Sequence, residues 1–534
     1  MKIGFYGADH EVTGSCHYLE IAGYNLLIDC GMEQGSDVYE NQELPVNASD
    51  IDYILLTHAH IDHSGLIPLM YDKGFRGKVY CTKATVDLCD IMLRDSAHIQ
   101  EFEAEWRNRK AKRSGFEEFV PLYSMESVIN VMKQFVPCDY EKIIEINDNI
   151  KVRFVDVGHL LGSASIEVFA KEDKREVKIV FSGDIGNTDK PLIKDPKYLE
   201  SADYVVMEST YGNRNHNKPL DYATELAKII KYTFDKGGNL VIPAFAVGRT
   251  QEMLYYIHKI KRDNLLPEYE GFHVVVDSPL AVEATSVFNR NIDNCFDDEA
   301  LQMIRSGINP LSFPGLSLSV TTNDSKNINE DMKPKVIISA SGMCEAGRIR
   351  HHLKHNLWRK ESTILFVGYQ AHNTLGRAIL EGAKTVKLFA ETIEVRADIM
   401  KLDGFSGHAD KDGLIKWLTS ITDKPKCVYV VHGEDDVCDE FTKCLRDEYH
   451  YNAVAPYNGA VYSLETGELI SEGNKARKER REAAVSKRNN TVFERLVAAG
   501  RRLLAVISHN EGGANKDLAK FTDQIIALCD KWDR

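Results

Sequence analysis

Apolar and polar positions along the chain fall into three textures, and each predicts different elements. Residues 1–31 alternate with a period of two, through Ile3-Gly4-Phe5, Val12–Tyr18 and Tyr24–Asp29, which predicts a meander of strands. Ile51, Tyr53, Ile54, Leu55 and Leu56 predict a strand running into a buried sheet, and Ser64-Gly65 then allows a turn into a helix over Leu66–Tyr71. Residues 79–145 read as largely helical, amphipathic over Thr85–Leu93 and a charged surface helix over Arg94–Lys112. Strands resume at Lys151–Val157, Val177–Phe181 and Tyr204–Met207.

The second texture covers residues 215–380. Helical segments (Tyr222–Phe234, Gln251–Arg262) alternate with apolar runs at Asn239–Pro243, His273–Asp277, Lys335–Ser339 and Ser362–Val367. Such alternation predicts a parallel sheet with helices on its faces, set into the first domain as an insertion. From about residue 385 the meander texture returns, with a further apolar strand at Val428–Val431. The tail reads as a basic helix over 475–502 and an amphipathic stretch over Leu518–Trp532. The expected domains are therefore 1–207 and 384–470 as two parts of one unit, 208–383 as the insertion, and 471–534 as a helical extension.

Composition changes this picture little. A chain of 534 residues with 43% hydrophobic and 27% charged residues has the make-up of a soluble protein of two or three domains. No secretory segment or membrane-spanning run is found, so a cytoplasmic protein with no membrane partner is expected. Eleven cysteines, scattered and without a C-x-x-C pair, fit reduced thiols better than a disulfide framework. The net charge of −14 hides a tail of +6 over residues 475–534 and a body of −20. Whole-chain charge is a poor guide to a local site, so it argues only weakly against nucleic acid.

The chemistry begins where the strand at Leu55 ends. His58, His60, Asp62 and His63 fall within six positions. Buried imidazoles and a buried carboxylate need partners, and a metal satisfies all four. His58 and His60 are two apart, so at a strand end they point the same way. Asp62 and His63 follow the turn and can face a second centre. Other strand ends carry similar residues. Asp29 closes Leu26-Leu27-Ile28, as a structural acceptor or as an orienter of a metal-bound imidazole. His159 follows Lys151–Val157. Asp184 follows Val177–Phe181 and is suited to bridging two metals about 3.5–4 Å apart. Glu208 closes Tyr204–Met207, His408 stands in Gly404–Asp410, and His432 follows Val428–Val431.

These stretches resemble the metallo-β-lactamase superfamily, specifically its β-CASP RNA-processing nucleases. The resemblance is carried by EVTGSCH (11–17), LLIDCG (26–31), THAHIDHSG (57–65), VGHLLGSAS (157–165), FSGDIG (181–186), ESTYGNR (208–214), PAFAVGRTQE (243–252), DSPLA (277–281), SGMCEAGR (341–348), GYQAHNTLGR (368–377), FSGHAD (405–410) and VHGE (431–434). It implies a four-layer αβ/βα sandwich with an inserted α/β β-CASP domain as a lid. It implies one zinc ion held by His58, His60 and His159, and a second by Asp62, His63 and His432. Asp184 would bridge the two and Asp29 would stand behind them; Mn2+ is the alternative metal.

The resemblance also implies that Glu208 and His408 pair beside the scissile phosphate, with Asp62 counted in the catalytic set as well. His432 favours RNA, because RNA-directed members resemble this chain there while the DNA-repair branch tends to an aliphatic residue. Ser341 and Gly342 open a turn before an expected helix at Arg348–Leu353, whose N–H groups suit a phosphate. Arg249, Arg348 and Arg377 stand in the matched motifs and are expected to grip phosphate oxygens. The chain departs from the family pattern at Ala346 and at His372-Asn373, where relatives often carry glycine.

The function implied is hydrolysis of phosphodiester bonds in single-stranded RNA, in processing or decay. A small-ester or thioester hydrolase and a silent RNA-binding relative are the alternatives. For the basic tail, a solvated or homodimer-packing helix and an RNA-guiding helix stand as equal readings.

Overall fold

The computed structural model describes residues 1–34, 39, 41–111, 119–217, 221–371, 373–477, 492–510 and 515–532. Two sheets stack face to face. The first has eight strands, in the spatial order Leu469–Ser471, Val461–Ser463, Lys2–Phe5, His17–Ile21, Tyr24–Ile28, Tyr53–Leu55, Lys78–Thr82 and Phe135–Cys138. The second has seven, in the order Ala453–Val454, Cys427–Val431, Tyr204–Glu208, Arg175–Phe181, Ala164–Glu172, Ile150–Asp156 and Ile143–Asn147.

Strand alternation decides which face each residue covers. Ile3, Phe5, Ile28 and Leu55 of the first sheet meet Phe154, Ile166, Ile179 and Tyr429 of the second between the layers. On the outer side of the first sheet, Leu27, Ile54 and Val79 pack on Leu88 and Met92 of the helix Lys83–Ala111. On the outer side of the second, Val205, Met207, Val428 and Val430 pack on Leu414 and Trp417 of Lys411–Thr419 and on Phe441 of Asp435–Asp447. Each such side chain gains about 1.5–3 kcal/mol on burial. Both faces of both sheets are covered, which explains the unbroken apolar runs at the central strands. The result is the expected αβ/βα sandwich.

The inserted unit is a six-stranded parallel sheet in the order Leu316–Ser319, Val274–Asp277, Val336–Ser339, Leu240–Pro243, Thr363–Phe366 and Asp398–Lys401. One face packs Leu240, Ile242 and Val276 on the helices Tyr222–Asp235 and Arg249–Arg262. The other packs Val241, Ile337 and Phe366 on Ile349–Asn356 and Leu375–Leu380.

Three segments differ from the sequence reading. The stretch 79–145 holds a 29-residue helix, Lys83–Ala111, and a short one, Met125–Val131, but also strands at Lys78–Thr82, Phe135–Cys138 and Ile143–Asn147. These strands are short, and Pro137 and exposed charges mask their alternation. The meander expected from 385 begins as a hairpin, Thr385–Leu388 with Glu391–Glu394. Asp398–Lys401 then joins the inserted sheet beside Thr363–Phe366, so that sheet runs past residue 383. In the tail, helices cover Val492–His509 and Asn515–Trp532; residues 478–491 of the expected basic helix lie outside the described residues. No described helix is long and apolar enough to cross a membrane. The described cysteines are all free, and all but Cys529 are buried.

Parallel pairing explains why the polar strand ends meet. Ile28 stands beside Leu55, Phe181 beside Val206, and Glu208 beside Val431, each in parallel register. Their C-terminal ends therefore reach the same edge of the sandwich. Just past two of these ends, Asp29 (φ 60) and His432 (φ 50) take the left-handed conformation, which turns each side chain off its strand's path.

Candidate metal centre

The loop His58–His63 is shaped from outside by two short segments. Ser15 N donates to Asp62 O at 2.8 Å, Cys30 N to His63 O at 2.7 Å, and Met32 N to Ile61 O at 2.9 Å. A side chain at Gly31 would strike the Asp62 carbonyl, so only glycine admits this approach.

The imidazoles converge in two groups. His60 Nδ1 stands 3.0 Å from His58 Nε2 and 3.3 Å from His159 Nε2. Asp184 Oδ2 lies 3.5 Å from both His58 Nε2 and His159 Nε2. In the second group His63 Nε2 and His432 Nε2 are 3.2 Å apart, with Asp62 Oδ2 at 3.7 Å from His432. Asp184 Oδ1 lies 3.3 Å from His63 Nε2 and 3.4 Å from His432 Nε2. One carboxylate thus turns an oxygen to each group, and its Oδ1 is buried without a hydrogen-bond partner.

These separations pass a simple test. A tetrahedral ion with bonds near 2.0–2.1 Å needs donors about 3.3 Å apart along each edge. The outer nitrogens are also committed. His58 Nδ1 meets Thr57 Oγ1 at 3.1 Å, His63 Nδ1 meets Asp29 Oδ2 at 2.7 Å, His159 Nδ1 meets Gly407 O at 3.1 Å, and His432 Nδ1 meets Thr210 Oγ1 at 3.1 Å. Partners on the outer nitrogens direct the inner lone pairs of each group toward that group's centre, as metal-binding imidazoles require. Burial pushes the pKa of His58 and His159 well down and that of His60 to about 4, so these rings are neutral donors. For Asp62, burial opposes ionisation but His432 and His63 outweigh it and hold the carboxyl at about 2.

His408 stands at the rim. Its Nδ1 lies 3.1 Å from both oxygens of Glu208, and its Nε2 is 3.9 Å from Asp184 Oδ2. Glu208 is held in turn by Ile185 N at 2.6 Å. Burial opposes charge on His408, but Glu208 and Asp184 outweigh it and raise its pKa to about 9.

The comparisons with known proteins agree with this geometry. Residues 11–210 match the metallo-beta-lactamase superfamily, 250–379 the Beta-Casp domain, and 392–456 a Zn-dependent metallo-hydrolase RNA specificity domain. Ribonuclease TTHA0252 of Thermus thermophilus is 35% identical over 437 residues, covering 82% of this chain and 94% of the relative. The chain belongs to the β-CASP metallo-β-lactamase family. The RNase J-like protein of Methanocaldococcus jannaschii is 31% identical over 468 residues, 86% of this chain and 99% of that protein. Transcription termination factor FttA of Methanosarcina mazei is 30% identical over 485 residues, 88% of this chain and 72% of that protein. With these matches, the histidine and aspartate cluster is a divalent-metal site.

The residues expected to touch substrate from the β-CASP domain are placed differently. Arg249 donates to Glu252 and to the Phe405 carbonyl. Arg348 donates to Asp277 Oδ1 at 2.7 Å and Val320 O at 2.6 Å. Each guanidinium group is occupied by a buried carboxylate and by a backbone carbonyl, Phe405 O for Arg249 and Val320 O for Arg348. Arg377 pairs with Glu381 at 2.6 Å and keeps 30% of its side chain exposed, against 11% and 21% for the other two. Ser341 and Gly342 stand in a closed turn, with Ser341 N donating to Ala346 O, and Gly342 lies against the Phe245 ring. The helix starts one residue later than expected, at Ile349, and Ile349 N is bonded to Ala340 O. At the two departures from the family pattern, Ala346 keeps a negative φ between Cys344 and Gly347, which take positive φ, while Asn373 itself takes positive φ. His372 lies outside the described residues.

The sequence reading missed Thr57 and Thr210, which fix His58 and His432. Each lies inside a matched motif, immediately before His58 and two residues after Glu208, but was given no role there. It also missed His17, which lines a cavity of about 20 Å3 behind the metal centre.

Proposed function

We propose that this chain hydrolyses phosphodiester bonds of single-stranded RNA at a pair of zinc ions. The carrying observation is Asp184, whose two oxygens face two donor groups while His408 stands 3.9 Å from it at the rim. His58, His60 and His159 would hold one ion, Asp62, His63 and His432 the other, with Asp184 shared. Divalent ions in such a pair supply Lewis acidity toward the phosphate and a nucleophile usable near neutral pH.

The chain's own groups do the rest. Asp29, Thr57, Thr210 and Gly407 O hold the imidazoles in register. Glu208 orients His408 through Nδ1, which leaves Nε2 to carry the proton to the leaving ribose oxygen. General acid catalysis of this kind contributes typically ~10²–10⁴-fold. RNA as substrate is supported by the RNA specificity domain match, which spans both His408 and His432, and by the relatives named for ribonuclease activity. Of the groups expected to touch substrate, Arg377 keeps a side chain open to hold the RNA backbone, with 30% exposure.

The test is digestion of end-labelled RNA bearing a 5′-triphosphate, monophosphate or hydroxyl. Cleavage is expected to need added zinc or manganese, and product sizes assign the endo- or exonucleolytic mode. Turnover of a thioester with no cleavage of any RNA would replace this reading with the small-molecule hydrolase.

A further inference from the structure

The loop that presents His159 is held from outside the metal cluster by a circuit through both domains. The His159 ring meets Gly407 O at 3.1 Å, and its carbonyl accepts from Lys190 Nζ at 2.9 Å. Lys190 pairs with Glu252 at 3.3 Å, in the first turn of the inserted-domain helix Arg249–Arg262. Glu252 also binds Arg249, whose other amino group donates to the Phe405 carbonyl. Phe405 is two residues before Gly407 and three before His408. The contacts therefore close: His159 ring, Gly407, Phe405 carbonyl, Arg249, Glu252, Lys190, His159 carbonyl.

Nothing in this circuit is casual surface pairing. The side chains of Lys190, Glu252 and Arg249 are 11%, 9% and 11% exposed. Screening by water is weak there, and loss of Glu252 leaves both cations without a carboxylate. One carboxylate is bracketed by two cations, and each cation's second partner is a backbone carbonyl of the metal-binding domain. The Phe405 ring is further packed on Tyr222 at 4.3 Å and on Tyr256 at 5.5 Å, both from the inserted domain.

We infer that Arg249, Glu252 and Lys190 form a clamp that sets where His159 and His408 stand relative to each other, so both are in place only with the inserted domain seated. Lys190 and Glu252 are positioning residues: they touch neither metal nor substrate. Arg249 serves this clamp rather than the RNA phosphate. The catalytic part of this inference rests on the ribonuclease reading; the metal-geometry part does not.

The test uses the full chain with Lys190→Met, Glu252→Gln and Lys190→Arg. Each is stripped of metal, loaded with Co2+, and followed by the cobalt d–d absorption, by competition with a chelator, and by kinetics on RNA and on bis(p-nitrophenyl) phosphate. Lys190→Met and Glu252→Gln are expected to alter the cobalt spectrum and to weaken one of the two bound equivalents by about 10–100-fold. They should lower kcat on both substrates by a similar factor, with the RNA KM little changed. Lys190→Arg should restore most of both. Should Lys190→Met fail to fold, the nearly isosteric Glu252→Gln decides. An unaltered cobalt spectrum, together with metal affinity and kcat near wild type in the folded variants, would overturn the clamp. If wild type cleaves no RNA while the variants still shift the cobalt spectrum, the clamp stands and the ribonuclease reading falls.

Discussion

The same pair of residues is used twice in this molecule, to opposite ends. In the sandwich, Asp29 at a strand end accepts from His63 Nδ1 at 2.7 Å. In the inserted domain, Asp277 at a strand end accepts from His352 Nε2 at 2.7 Å. Around Asp277 every valence is closed. Ser319, Ser325 and Arg348 bind its oxygens, and the other nitrogen of His352 meets Asn329 Oδ1 at 3.0 Å. The chain supplies its own cation, Arg348, so the network is complete as it stands. Around His63 the other nitrogen faces His432 and an unpartnered oxygen of Asp184. That network lacks a cation of its own and is completed by a metal ion. An aspartate–histidine pair is thus diagnostic only through what the second ring nitrogen meets.

This contrast is broken most severely at His58. His58→Ala is expected to remove one metal equivalent, measured by elemental analysis, and to take RNA cleavage below detection while the inserted domain stays folded. His408→Ala should keep both metals and still lose ~10²–10⁴-fold in kcat, since only the proton donor is gone. An active His408→Ala variant would remove it from the mechanism. Asp277→Ala should do the reverse of both. It leaves His352 and Arg348 unpaired in the interior and destabilises the inserted domain by about 3–5 kcal/mol, read by hydrogen exchange in Val274–Asp277, with metal content unchanged.

The difference between the two networks also shows how far a sequence can be read. The histidine and aspartate cluster was legible because its polar residues follow apolar strands, and parallel register then brings those ends together. Asp29 was legible only as one of two roles, and its partner, the His63 ring at 2.7 Å, could not be read from the sequence. The arginine partners were not legible for a different reason. Asp277 and Arg348 are 71 residues apart, and Phe405, whose carbonyl binds Arg249, is 156 residues from it, so nothing local links them. Short strands fail for a third reason. Asp398–Lys401 has only four residues, and its place in the inserted sheet depends on a neighbour, Thr363–Phe366, not on its own pattern.

Acid should separate the two networks next. Burial opposes ionisation of Asp277, but His352, Ser325, Ser319 and Arg348 outweigh it and hold its carboxyl well below the usual range. A carboxyl with a depressed folded pKa gives stability that is full above its unfolded value, about 3.9. That stability is lost as pH falls through the folded value. Wild-type inserted domain should therefore lose up to about 1.4 kcal/mol per pH unit from this group below pH 4. Asp277→Asn should flatten that slope, measured by urea unfolding at a series of pH values. Burial opposes charge on His63, but Asp184 and Asp29 outweigh it and raise its pKa, so acid-driven metal loss is expected to begin in its donor group.

The smallest expected effect lies at Arg377, and it sharpens the comparison on the substrate side. Of the three arginines, it alone combines an exposed carboxylate partner with a side chain 30% open to solvent. An exposed pair such as Arg377–Glu381 is worth little, roughly 0–1 kcal/mol, so an RNA phosphate can displace Glu381 at small cost. Removing a single phosphate contact on single-stranded nucleic acid should lower the log–log salt slope of binding by about 0.7. Arg377→Ala is therefore expected to raise the RNA KM severalfold, to flatten its salt dependence by that amount, and to leave kcat and thermal stability unchanged. Arg348→Ala should behave oppositely, with lower stability and an unchanged salt slope, because its guanidinium is already bound to Asp277. Equal salt slopes for wild type and Arg377→Ala would place Arg377 among the structural arginines too.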